Sequence, residues 1–167
     1  MESVNDWSLI LETKSLNTTV YIDFKRAFDL VSHHKLIHKL QSYGISGSLL
    51  EWIACFLQDR THCTRIGNCY SSFGNIMSGM IQGSCLGPVL FILFINDIVD
   101  LIDVPVECSL YADDVKLYTA IRSQADCMQL QNTLDKLAVW SDTWQLPMSK
   151  EKCSIMNICR SSVANCP

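Results

Sequence analysis

Tyr111-Ala112-Asp113-Asp114 is the local pattern richest in chemistry. Adjacent carboxylates repel, raise each other's pKa and cost stability unless a cation neutralises them, and a divalent metal ion is the simplest such cation. Asp-Asp is also ordinary turn chemistry, so the pair alone leaves both readings open. Asp23 adds a carboxylate at the end of an apolar strand, on the face of Tyr21, where a solvated strand end or a helix cap is the plain alternative. If that strand lies beside the Asp113-Asp114 hairpin, three carboxylates converge into the oxygen-rich set that Mg²⁺ prefers. Two such ions can clamp an in-line phosphoryl displacement. A further piece is Gln82-Gly83-Ser84, with Leu86-Gly87-Pro88 after it. Small residues permit close backbone approach, and free N–H groups at a helix start favour phosphate, although the same residues make a simple turn. His34 and His38 are four apart on a helix without an identifiable third ligand, which suits surface or capping roles.

These residues need elements to hold them. TTVYIDF at 18–24 alternates apolar and polar side chains and predicts a strand. Leu36, Ile37, Leu40 and Tyr43 predict a helix that stops at Gly44. Ser48 and Glu51 have the spacing of a capping box for a second helix with Leu49, Trp52, Ile53, Phe56 and Leu57 on one stripe. Gly67-Asn68 predicts a hairpin between 62–66 and 70–77. Residues 84–101 are apolar on every side and predict a central core helix, with Pro88 in its first turn. Alternation over 106–112 and a run over 115–119 predict a second hairpin with two acids at its tip. Ser123 predicts the cap of a long helix with Cys127, Leu130, Leu134, Leu137 and Ser141 inward, and 144–158 returns after Pro147 as a turn and short strand. Tight hairpins among the strands imply an α+β fold, a mainly antiparallel sheet with helices packed on one face. Residues 1–17 read as a weakly helical lead-in, 18–158 as the folded body without an internal linker, and 159–167 as a tail.

Composition narrows the class. The 167 residues include 13 Lys+Arg, 17 Asp+Glu and 49% hydrophobic residues, a balance that excludes disorder, collagen and repeat arrays. Nine cysteines, an odd number without a CxxC pair, suit reduced thiols in an intracellular compartment, nuclear or cytoplasmic, with no zinc. The N-terminus lacks the basic flank and hydrophobic run of a signal peptide. VLFILFI at 89–95 falls well short of the ~20 residues a membrane span needs, so no membrane partner is expected.

Taken in order, DFKRAFD (23–29), IQGSCLGPVLFILFIND (81–97), YADD (111–114) and WQLPMSKEKCSIM (144–156) resemble the reverse transcriptase family. The likeness is strongest to its non-LTR, LINE-type and jockey-like retrotransposon branch, and it covers nearly the whole chain from about residue 18. The resemblance implies a right-hand polymerase palm that adds dNTPs to a DNA primer 3′-hydroxyl on an RNA template, using two Mg²⁺ ions, with Mn²⁺ as an alternative. By matching positions it implies that Asp23 and Asp113 are metal ligands, Asp114 a supporting carboxylate, and the Phe24 backbone a contact to the second metal. Lys25, Arg26 and Ala27 would meet the triphosphate. Phe28 would exclude a 2′-hydroxyl, and Gln82 and Gly83 would contact nucleotide and template. Lys152 would protonate the pyrophosphate leaving group.

Ile81 stands where the family usually has Pro, and Ser149 where it has Asn. The family's fingers segment precedes the first motif by far more than 22 residues, and its primer grip and thumb follow the last. The resemblance therefore implies a palm that works with the fingers and thumb of a parent polymerase, which agrees with an acidic balance unusual for a nucleic-acid enzyme. Two other functions fit the same residues: an inactive truncated transposon remnant, and a maturase-like RNA-binding module.

Overall fold

The computed structural model describes residues 7–8 and 15–159. In chain order the elements are β1 (Leu16–Ile22), α1 (Ala27–Leu30), α2 (His33–Ser42), α3 (Gly47–Leu57), β2 (Thr61–His62), β3 (Arg65–Ile66), β4 (Cys69–Tyr70) and β5 (Gly74–Asn75). Then follow α4 (Leu86–Ile95), a 3-10 turn (Asn96–Leu101), β6 (Glu107–Tyr111), β7 (Asp114–Ile121), α5 (Gln124–Trp144) and β8 (Ser154–Ile158). Most of the lead-in and all but the first residue of the tail lie outside the described residues. Two compact units are interleaved along the chain: one takes the residues up to Phe24, Ile98–Asp142 and those from Pro147 on, the other Lys25–Asp97 and Thr143–Leu146.

The first unit is a four-stranded sheet in the order β6-β7-β1-β8, antiparallel at every pairing. Val20, Ile22, Phe24, Val115 and Leu117 are buried in its core, each contributing roughly 1.5–3 kcal/mol. Helix α5 supplies Leu130, Leu137 and Trp140 to that core, with the Trp140 ring 5.9 Å from that of Phe24. Thr133 and Trp140 are inward where Cys127 and Leu134 were expected, and the latter two are only half-buried. The start of α5 is closed reciprocally, as its Ser predicts: the Asp126 N–H donates to Ser123 Oγ at 3.4 Å. In return the Asp126 carboxylate accepts from the N–H groups of Arg122 and Ser123 at 2.9 and 2.8 Å.

The second unit is helical with a hairpin. Ser32 Oγ accepts from the Lys35 N–H at 3.5 Å to open α2, and Gly44, at φ +85°, ends it. The expected capping box at Ser48 does not form: α3 already begins at Gly47, with Ser46 as a cap that makes no side-chain hydrogen bond. Gly47 at φ +61° turns the chain one residue before Ser48 could act. Helix α4 buries Leu90, Phe91, Phe94 and Ile95 as predicted, but Val89 and Ile92 are more than half exposed, so it is not covered on every side. Pro88 is its third residue, where the missing N–H costs nothing. The hairpin forms around Gly67-Asn68 in two ladders, β2 with β5 and β3 with β4. The register changes between them, so residues 71–73 lie opposite 63–64 as a bulge. Among the described residues, no helix is long and apolar enough to cross a membrane.

Candidate active site

In the sheet unit, β1 and β7 pair from Leu16↔Ile121 to Ile22↔Val115, so the next residue on each strand is Asp23 and Asp114. Neighbouring strand positions sit ~5 Å apart, so the register sets Asp23 beside the β6–β7 turn. That turn is two residues, closed by the pair Tyr111↔Asp114. Ala112 takes the left-handed φ of 51° that so short a turn requires. Asp113 is half-buried in the turn and Asp114 is exposed at the start of β7.

Asp23 is fixed through its backbone. Its carbonyl accepts from the Ser149 N–H at 2.7 Å, and Phe24 bridges to Met148. Ser149 thus ties the late loop to the site through its backbone, a role that any residue but Pro can fill. Lys152 Nζ lies 3.4 Å from both carboxylate oxygens of Asp23. The Lys152 side chain is 68% exposed, so the pair contributes at most ~1 kcal/mol. Asp23 Oδ1 is buried and accepts no hydrogen bond among the described residues, since Nζ is near but not aligned with it. Such an oxygen costs ~1–3 kcal/mol, and it is a ready ligand for a hard cation. The donor chemistry therefore fits a divalent ion, although among the described residues no three His, Cys, Asp or Glu side chains are gathered to hold one.

The remaining predicted residues lie in the helical unit. Lys25 and Arg26 are exposed and Ala27 is buried. Arg26, at φ 42°, receives the N–H groups of Asp29 and Leu30 on its carbonyl at 2.9 and 3.1 Å. The half-buried Phe28 ring stacks on Phe91, centroids 4.2 Å apart, which fixes its orientation. Gln82 donates to Asp29 Oδ1 at 3.2 Å, and Gly83 turns the chain at φ +80°. The strand-like segment before Gln82 is laced to the Phe28 turn: Met80 N–H to the Phe28 carbonyl at 2.6 Å, Gly79 N–H to Val31 at 2.8 Å, and Ser78 Oγ to the Asp29 carbonyl at 2.9 Å. A Cβ on Gly79 would stand 2.7 Å from the Asp29 carbonyl oxygen.

Asp29, Gly79 and Lys39 are the structural residues that sequence reasoning did not single out. Lys39 is 2% exposed, yet its ammonium donates to the Phe94 carbonyl at 2.5 Å and Asp97 at 2.7 Å, and lies 3.7 Å from the Trp144 ring centroid. Burial pulls its pKa down to about 8 against the opposing pull of Asp97. Its signal was spacing: Lys39 is three residues past Leu36, on the buried stripe of α2. In the sheet unit, burial pushes the Cys108 thiol up to about 11. The Arg122 backbone N–H, with Ser123, holds Asp126 below the usual carboxylate range.

An antiparallel sheet whose inner strands end in carboxylates, with a helix on its core, defines the α+β palm of a polymerase. Residues 1–163 match the sequence pattern described as reverse transcriptase (RNA-dependent DNA polymerase), and the chain belongs to that family. It is 29% identical over 164 residues to the RNA-directed DNA polymerase from mobile element jockey of Drosophila melanogaster, covering 94% of this chain and 18% of the relative. It is 32% identical over 155 residues to the probable RNA-directed DNA polymerase from transposon BS of the same species, covering 84% and 16%. These relatives bear out the resemblance to polymerases of non-LTR retrotransposons. The chain thus spans under a fifth of the length of these relatives. Among solved structures, telomerase from Candida albicans, in complex with an RNA fragment, superposes with TM-score 0.70 at 15% identity, over 96% of this chain and 30% of that one. Apo telomerase from Candida tropicalis gives TM-score 0.68 at 13% identity, over 97% and 36%.

Proposed function

We propose that this chain is the palm of a retrotransposon RNA-directed DNA polymerase, acting with the fingers and thumb of a longer parent protein on an RNA template, a DNA primer and dNTPs. The observation that carries this reading is the β1–β7 register, which ends the two central strands on Asp23 and Asp114 with Asp113 in the adjoining turn. The reaction joins the primer 3′-oxygen to the α-phosphorus of a dNTP and breaks the bond to pyrophosphate. Asp23, Asp113, Asp114 and the Phe24 backbone would hold two Mg²⁺ ions. When bound, the ions offset charge on the attacking and leaving oxygens. Lys152, already beside Asp23, is the proton donor for pyrophosphate. In the helical unit, exposed Lys25 and Arg26 meet phosphate charge, and Ala27 leaves room for it. The Phe28 ring, pinned by Phe91, blocks a 2′-hydroxyl, and the Gln82-Gly83 turn contacts nucleotide and template. Cys55, Cys63, Cys69, Cys85, Cys108, Cys127 and Cys153 form no disulfide among the described residues, which suits an intracellular site of action.

The test is Mg²⁺-dependent incorporation of labelled dTTP on poly(rA)/oligo(dT) by the parent polymerase. Asp113→Asn lowers incorporation by about a thousandfold or more, because a neutral amide cannot replace a carboxylate ligand. Full activity of a folded Asp113→Asn protein would refute the assignment.

A further inference from the structure

Residues 60–96 contain two arginines and one histidine but no aspartate or glutamate, in a chain whose 17 acids outnumber its 13 Lys+Arg. The bulged β2–β5 hairpin stands at the start of that stretch. It places large apolar side chains in water: Tyr70 is 62% exposed, Phe73 75%, Ile66 78%, with Met77 just beyond at 80%. Its cations are stacked on rings. The Arg65 guanidinium lies 5.4 Å from the centroid of Tyr70, its cross-strand partner, and the Arg60 guanidinium 4.9 Å from that of Phe56. Flat rings beside guanidinium groups, with no acid on the hairpin itself, are the combination that takes single-stranded nucleic acid: bases stack on the rings and phosphates meet the cations. A second copy of the chain would set this cationic stretch against itself, so charge complementarity favours a polyanion.

We propose that the β2–β5 hairpin is a stacking platform for single-stranded RNA, with Tyr70 and Phe73 under bases and Arg65 on phosphate. The choice of RNA rests on the polymerase reading above; the stacking surface does not. A groove of about 800 Å³ at the hairpin base contains Arg60 and His62 together with Asp29 and Asp59. Those two carboxylates keep the phosphates on the hairpin rather than in the groove.

The experiment is fluorescence anisotropy of a labelled 20-nucleotide oligo(rA) with this chain, without Mg²⁺, primer or dNTP. The Tyr70→Ala/Phe73→Ala double variant weakens binding about tenfold or more, and so does Tyr70→Leu/Phe73→Leu, which keeps apolar bulk but removes the flat rings. Arg65→Gln lessens the salt slope of affinity by about one. Val139→Ala, on an exposed position of α5, leaves affinity unchanged. Absence of RNA binding by the folded chain, or affinity in both double variants equal to that of the unsubstituted chain, overturns the proposal. So does a dimer seen by sedimentation that the double variants abolish without any change in RNA affinity. Because no catalysis is read, failure here leaves the polymerase assignment standing, and RNA binding by a chain whose parent shows no incorporation would sink only that assignment.

Discussion

The sheet unit and the helical unit position their side chains by different physics. In the sheet, a seven-pair register shared by β1 and β7 places Asp23 and Asp114, so the placement is spread over many backbone hydrogen bonds. A slip of one residue would turn every side chain of β1 to the other face. In the helical unit, positioning rests on irregular contacts at particular residues: Gly79 packed against the Asp29 carbonyl beside the Phe28 turn, and, elsewhere in the unit, Lys39 between Phe94, Asp97 and Trp144. Periodic structure distributes the burden of positioning, whereas irregular structure concentrates it on residues for which nothing else fits.

The sharpest test of that contrast is Gly79→Ala. Gly79 sits at φ +91° with the Asp29 oxygen 2.7 Å from the site of the new Cβ, so backbone must move. Strain and lost contacts together destabilise the protein by about 3 kcal/mol, read as a lower urea midpoint. A shift of only a few tenths of a kcal/mol would show that the hydrogen bonds of Ser78, Gly79 and Met80 hold the Phe28 turn without that close approach.

A smaller effect separates the units by pH. Lys39 has its folded pKa lowered from 10.5 to about 8. The unfolded chain then holds more protons between those values, so the Lys39 contribution makes stability climb as pH rises from about 8 to 10.5. Cys108 is raised from 9.0 to about 11, so its contribution is full below 9 and is lost as pH rises through 11. Chemical denaturation of Lys39→Met across this range lacks the rise, and Cys108→Ala lacks the fall; matching pH profiles for the two variants would erase the distinction. The smallest effect belongs to the sheet unit's helix. Ser123→Ala removes the two hydrogen bonds its hydroxyl makes with Asp126 at the start of α5 and costs about 1 kcal/mol in the same assay.

What was legible in the sequence follows the same division. Period-two alternation announced β1 and the β6–β7 hairpin, and the order of four motifs announced the palm. Those signals are local or additive along the chain. The Lys152–Asp23 approach joins residues 129 positions apart, and the Gln82–Asp29 hydrogen bond residues 53 apart. No local pattern encodes such pairs. Ser48 and Glu51 had the right spacing for a cap, yet the backbone of Gly47 chose an earlier start, because a positive φ decides the turn before side chains compete. Helix α4 misled through composition: an all-apolar segment reads as buried, while Val89 and Ile92 stand largely in water.

The buried oxygen of Asp23 has a meaning for selection. A chain shaped for stability alone would favour a smaller or apolar side chain there, since Asp23 Oδ1 accepts no hydrogen bond among the described residues and has only the exposed Lys152 ammonium beside it. With the metal-holding role proposed for Asp23, this is a position where the needs of folding and of chemistry would diverge. A cation held by Asp23 would relieve that oxygen and, by binding the folded chain, would stabilise the fold by mass action as well as prepare it to react.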